Sequence, residues 1–140
     1  MKIVGLIAEY NPFHNGHLYH IERAKEITGA DSAIVVMSGN YVQRGAPAIM
    51  PKHLRAEVAL EAGADIIFEL PVCYACASAE YFAAGAVSLF EQLNCVDSVC
   101  FGSECGDYGL LERIARVAAD EPEEYRTLLS EGLKKGMSFP

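Results

Sequence analysis

Two spacings of apolar residues alternate along the chain. Short runs rich in Val, Ile, Leu and Met are separated by stretches in which apolar residues recur every three or four positions. The short runs predict buried parallel strands, and the periodic stretches predict helices laid against them. Lys2–Ala8 is the first strand by this reading. Gly16–Thr28 is the first helix, with Leu18, Ile21, Ala24 and Ile27 at helical spacing and Gly29 as its stop. Ser32–Met37 is the second strand and ends at Ser38-Gly39. Asn40–Pro47 is too polar and too rich in Gly and Pro for regular structure. Pro51–Glu61 is a second helix with Leu54, Val58 and Ala59 on one face. Asp65–Leu70 is a third strand, stopped by Pro71. In Ser78–Leu93, residues Ala79, Phe82, Ala83, Ala86, Phe90 and Leu93 form one apolar helical stripe. Val96–Phe101 is a fourth strand and Gly109–Ala119 a fourth helix. A fifth helix opens with a capping box of Asp120 and Glu123, has Pro122 in its first turn, and runs to about Lys135 before Gly136. No internal repeat or low-complexity segment is present.

Alternating strands and helices imply a parallel sheet covered on both faces. The predicted fold is a three-layer α/β/α domain of Rossmann-like type. Ligands of such sheets sit beyond the carboxyl ends of the strands, near the point where strand order reverses. Asn11–His17 follows the first strand, Asn40–Pro47 the second, and Gly102-Ser103-Glu104 the fourth. Topology therefore places all three segments at one sheet edge.

Composition narrows the class. A chain of 140 residues is long enough for one domain with a real core. No apolar run approaches the roughly 18 residues of a membrane span. Met1-Lys2 leads straight into a strand, so no signal peptide is expected. The five cysteines are odd in number and fit reduced thiols of a cytoplasmic protein. The lone Cys73-Tyr74-Ala75-Cys76 lacks the second pair that a zinc site needs. A formal net charge of −8 argues against strong nucleic-acid binding by these residues, because such binding is largely phosphate neutralisation.

The chemistry concentrates in Glu9-Tyr10-Asn11-Pro12-Phe13-His14-Asn15-Gly16-His17-Leu18. Its His14-x-Gly-His17 pattern falls at a junction between strand and helix. A helix N-terminus presents free N–H groups and a partial positive charge, which suit a phosphate. Gly16 permits close approach to the backbone. His14 and His17 would donate to phosphate oxygens as charge builds in the transition state, without either taking a proton. A zinc reading lacks a third ligand, so no metal ligands are assigned. His20 shares a helix face with His17 and serves equally as a wall residue or a ligand. Arg44 sits in the glycine-rich loop at the ligand edge, as a solvated charge or as a phosphate or RNA contact. Lys52 and Arg55 open the second helix, where solubility explains them better than an anionic ligand does. Glu9 and Glu104 share the same edge. Each could orient a ribose hydroxyl or a metal, and Glu9 could equally be a structural carboxylate held by backbone N–H groups.

Asn-Pro-Phe-His-Asn-Gly-His resembles the His-x-Gly-His signature of the α/β nucleotidyltransferase superfamily. With Met37-Ser38-Gly39, Gln43-Arg44-Gly45 and Phe101-Gly102-Ser103-Glu104, it resembles more closely the bacterial tRNA(Met) cytidine acetate ligases, over essentially the whole chain. That resemblance implies a Rossmann-like nucleotidyltransferase fold. It also implies an enzyme that activates acetate with ATP, as acetyl-adenylate, and acetylates N4 of the wobble cytidine of elongator tRNA(Met). Ile7, Ala8, Glu9, Tyr10, Asn11, Pro12, Phe13, His14, Asn15, Gly16, His17, Leu18, Tyr19 and His20 correspond to the family's ATP-binding segment, and Gly102 to a further adenosine contact. Mg²⁺ would arrive with the nucleotide phosphates. The superfamily's second phosphate-binding motif has no match here. The family's Gly-x-Ser-aromatic-Pro segment, matched by Gly136–Pro140, is internal. Residues 1–140 are thus expected to be an N-terminal ATP-binding domain of a longer cytoplasmic protein, with most tRNA contacts beyond Pro140 and no membrane partner. Two alternatives share the first motif: a nucleotidyltransferase acting on a small phosphorylated metabolite, and a non-catalytic nucleotide-binding fragment.

Overall fold

The computed structural model describes residues 1–137. By residue type Ser138 could cap a further helix and Pro140 could start it, and both lie outside the described residues. The chain divides into two compact units, Met1–Gly102 and Ser103–Pro140.

The first unit is built on a parallel four-stranded sheet. Its elements are β1 (Ile3–Ala8), α1 (Asn15–Thr28), β2 (Ser32–Ser38), α2 (Lys52–Glu61), β3 (Ile66–Leu70), α3 (Val72–Ala75), α4 (Ala79–Leu93) and β4 (Ser98–Val99). The strand order is β3-β2-β1-β4. Register pairs Ile3 with Ser32 and Ala8 with Met37, so β1 and β2 end together.

Strand alternation sends side chains to two cores. Val4, Leu6, Ala33, Val35 and Met37 pack with Ile21 and Ala24 of α1 and Ala59 of α2. Ile3, Ile34, Val36 and Leu70 pack on the other face with Ala75 of α3 and with Phe82, Ala86 and Phe90 of α4. Both faces are therefore covered, which is the expected three-layer α/β/α arrangement. Aspartates hold the amino edge of the sheet. Asp31 Oδ2 accepts from Lys2 N at 2.7 Å, Asp97 Oδ2 from Ile3 N at 2.7 Å, and Asp65 Oδ2 from Ala33 N at 2.7 Å.

Several expected details change. β4 covers two residues rather than six. Among the described residues only β1 flanks it, although Asp97 N and Cys100 N still donate to Ile3 and Gly5 carbonyls. Ile27, Leu54 and Ala83 are exposed. Arg55 and Ala59 form the buried face of α2 instead. The short α3 was not foreseen, because Pro71 stops β3 and immediately starts a single helical turn. The loop after β2 also contains a 3₁₀ turn, Gln43–Gly45. All five cysteines are free thiols, and Cys73, Cys95 and Cys105 are exposed.

The second unit contains α5 (Tyr108–Asp120) and α6 (Glu123–Lys134). Asp107 caps α5, its Oδ1 accepting from Leu110 N at 3.0 Å. The expected Asp120–Glu123 capping box does not form. Asp120 is still helical in α5, Glu121 turns left-handed at φ 41°, and Pro122 is the N-cap of α6. A residue before proline is disfavoured in right-handed helical geometry, so the break falls at Glu121. Between α5 and α6 lies an apolar cavity of about 480 Å³ lined by Leu110, Ile114, Val117, Ala118 and Tyr125, with Arg113 at its wall.

Candidate functional site

β1 lies between β2 on one side and β4 on the other, so strand order reverses at β1 and β4. The crevice above their carboxyl ends is the ligand position of such sheets. The segment from Glu9 to His17 forms its floor. Tyr10 turns left-handed at φ 48°, and the Asn11–Pro12 bond is cis. The Tyr10 ring is 1% exposed. It packs with centroids 4.9 Å from Phe13 and 4.9 Å from His17, meeting the latter edge-on. Burial pushes its phenol far above the usual tyrosine range and keeps it neutral.

His14 is the N-cap of α1. Its Nδ1 accepts from Gly16 N at 3.1 Å, and His17 Nδ1 accepts from His14 N at 3.2 Å. This is the reciprocal geometry of a capping box, with imidazoles replacing the usual hydroxyl and carboxylate. The two rings stack with centroids 3.7 Å apart. Since each Nδ1 accepts, the proton of each neutral ring is assigned to Nε2. Capping thus fixes the tautomer and leaves an Nε2–H donor on each ring beside the helix N-terminus. A Cβ on Gly16 would lie 3.0 Å from His14 Cε1. The glycine therefore makes room for the folded-back ring as well as for a ligand.

Burial lowers the His17 pKa, and the neighbouring His14 and His20 lower it further. Burial likewise lowers that of His20, with the Cys100 backbone opposing. His17 and His20 are therefore neutral at neutral pH. His20 lies by the backbone of Cys100 at the end of β4, and its buried Nε2 has no hydrogen bond of ordinary geometry among the described residues. Gly102 follows β4, exposed, with open space where a Cβ would stand.

The loops after β1 and β2 are tied together. Glu9 Oε1 accepts from Gln43 N at 2.7 Å, so this carboxylate is held by a backbone N–H, one of its two expected roles. Asn11 Oδ1 accepts from Ile49 N at 2.7 Å. Arg44, between these two ties, is exposed at the loop tip with φ 67°. Lys52 pairs with Glu69 at 2.6 Å beside a small cavity of about 180 Å³ lined by Met37, His53, Ala56 and Ile67. A Cβ on Gly39 would collide with the Glu69 carboxylate, so only glycine leaves that carboxylate room.

Arg55 departs furthest from expectation. It is 1% exposed rather than a solubilising surface charge. Its Nη1 donates to Glu9 O at 2.5 Å, its Nη2 to the Ser38 and Gly39 carbonyls, and its Nε to Met50 O at 3.1 Å. The sequence held a signal for this: Arg55 lies one turn before Ala59, on the buried face of α2.

The structure thus brings Glu9, Tyr10, Asn11, Phe13, His14, Gly16, His17 and His20 around one helix start. The remaining expected contacts differ in burial. Ile7 packs in the core on the α4 face, Ala8 lies against the α1 core, and Leu18 is half-buried. Pro12, Asn15 and Tyr19 are exposed. Glu104 belongs to the second unit. Among the described residues, no three His, Cys, Asp or Glu side chains cluster as a metal site would require. Among them, no helix is long and apolar enough to cross a membrane.

A parallel α/β sheet whose first strand feeds a histidine-capped helix at the switch point defines a nucleotide-binding fold of the His-x-Gly-His type. The family model described as HIGH Nucleotidyl Transferase matches residues 1–140, and the chain belongs to that family. It is 56% identical over its whole length to the tRNA(Met) cytidine acetate ligase of Acetivibrio thermocellus, covering 34% of that protein. It is 51% identical to the ligase of the same name from Clostridium perfringens, covering 35% of it. Among solved structures it matches Thermotoga maritima TmcAL bound with alpha-thio ATP at TM-score 0.91 and 51% identity, covering all of this chain and 34% of that one. The apo form of the same protein matches at TM-score 0.90. The chain therefore spans about a third of the length of these relatives.

Proposed function

We propose that residues 1–140 are the N-terminal ATP-binding part of a longer, cytoplasmic, ATP-dependent ligase that acetylates the wobble cytidine of elongator tRNA(Met). One observation carries this reading. His14 and His17 cap α1 through their Nδ1 atoms at the strand-order switch point, which leaves two Nε2–H donors and the helix N-terminus for a phosphate chain. The relatives' names and the ATP analogue in the Thermotoga maritima protein support it.

In this reading an acetate oxygen attacks the α-phosphorus of ATP. The bond from that phosphorus to the bridging oxygen breaks, and pyrophosphate leaves with the charge. His14, His17 and the α1 N-terminus meet that charge as hydrogen-bond donors. The cytidine N4 then attacks the acetyl carbon, AMP departs and N4 loses a proton. Mg²⁺ would be held by the ATP phosphates and would neutralise their charge, and among the described residues no three His, Cys, Asp or Glu side chains group to hold it. His20 and Gly102 flank the nucleoside, and Arg44 meets phosphate or RNA at the mouth of the site. Acetate sets this reading apart from a transferase acting on a phosphorylated metabolite. The test is N4-acetylcytidine in elongator tRNA(Met) from cells lacking the gene. Its disappearance is expected; unchanged modification in a strain without a redundant acetylating enzyme overturns the assignment.

A further inference from the structure

We infer that Arg55 is a positioning residue for the phosphate site, a role that rests on the ATP-binding reading above. A guanidinium buried to 1% exposure bears a large desolvation cost unless its donors are used. Those of Arg55 are used on backbone carbonyls from three separate segments. Glu9 O belongs to the turn after β1, Ser38 O and Gly39 O to the end of β2, and Met50 O to the approach to α2. Among the described residues no carboxylate bonds the guanidinium directly; burial lowers its pKa, and Glu9 and Glu69 oppose that from nearby. A planar fork with five N–H donors spans such a set, and an ammonium on a flexible stem does not.

The consequence passes along the chain. Glu9 O is the last carbonyl before left-handed Tyr10, and the Tyr10 ring packs edge-on against His17 at 4.9 Å. Glu9 also holds Gln43, the residue before Arg44, through its side chain. Arg55 thus clamps one carbonyl whose neighbours lead to the stacked histidines and to the Arg44 loop. Displacing that carbonyl moves the Nε2–H donors relative to the phosphates.

The test is steady-state ATP–pyrophosphate exchange by the full-length protein and its Arg55→Lys and Arg55→Met variants, assayed well below their melting temperatures. Loss of folded enzyme lowers the amount of active protein and leaves kcat/KM per folded molecule unchanged, whereas displaced phosphate donors lower kcat/KM for ATP per folded molecule. A fall in kcat/KM per folded molecule of about tenfold is expected in both variants, since displacements near 1 Å cost up to about a hundredfold in rate. Unchanged kcat/KM per folded molecule in Arg55→Lys overturns the positioning role. Failure of both variants to fold also overturns it, in favour of a purely structural role. Absence of exchange in the wild-type protein would instead strike the ATP-binding reading itself.

Discussion

The two histidines do at residue scale what a Ser and a Glu do in an ordinary capping box. Protonating His17 removes the Nδ1 lone pair that accepts from His14 N. A cationic ring would attract phosphate more strongly, yet it would lose the contact that orients it. The folded-state pKa of His17 is lowered by burial, then by His14 and His20. Its contribution to stability is therefore complete above the ordinary imidazole value of about 6.5 and is lost as pH falls through the folded value. A profile of kcat/KM against pH is expected to place the acid limb for His17 below that ordinary value. A limb at or above it, absent from a His17→Gln variant where the rest persists, would contradict the neutral assignment. His14 and His17 were legible in the sequence because a short apolar strand, a turn and a periodic helix bracket them. Their mutual capping was not legible, since residue type alone does not tell which nitrogen accepts. The burial of Arg55 is not legible for a related reason: a cation near a helix N-terminus looks solvated until the loops supply carbonyls to receive it.

At the scale of elements, the apolar periods placed every strand and each long helix, because each buries a regular face. Errors fell where backbone geometry or an edge decided instead. β4 shrank because one neighbour leaves half its hydrogen-bonding groups without a ladder. The Asp120–Glu123 box failed because Pro122 forced the break one residue later. Ala79 and Ala83 extended the α4 stripe on paper, whereas Phe82, Gly85, Ala86 and Phe90 are the residues that bury. Phe90, 4% exposed, packs beneath the sheet in the α4 core. Phe90→Ala is expected to destabilise the protein by about 3–5 kcal/mol, read by denaturant unfolding. The helix-one site lies across the sheet, so ATP KM should hold while the variant is folded. A cost below about 1 kcal/mol would show that α4 does not anchor this face.

At the scale of the whole molecule, the parallel sheet brings the loops after β1 and β2 to one edge and binds them through Glu9, Asn11 and Arg55. That co-location followed from strand alternation alone, before any family resemblance. The −8 net charge agrees with the proposal that RNA is met mainly by residues outside these 140. The central claim is that His14 and His17 hold the phosphates while acetate is activated. Acetate-dependent ATP–pyrophosphate exchange by the full-length protein tests it most directly, with His14→Ala and His17→Ala beside the wild type. Exchange is expected in the wild type with acetate and not with phosphorylated metabolites. Each histidine variant should lose it by about a hundredfold or more, with an unchanged circular dichroism spectrum. Normal exchange in both folded variants would contradict the role assigned to the pair.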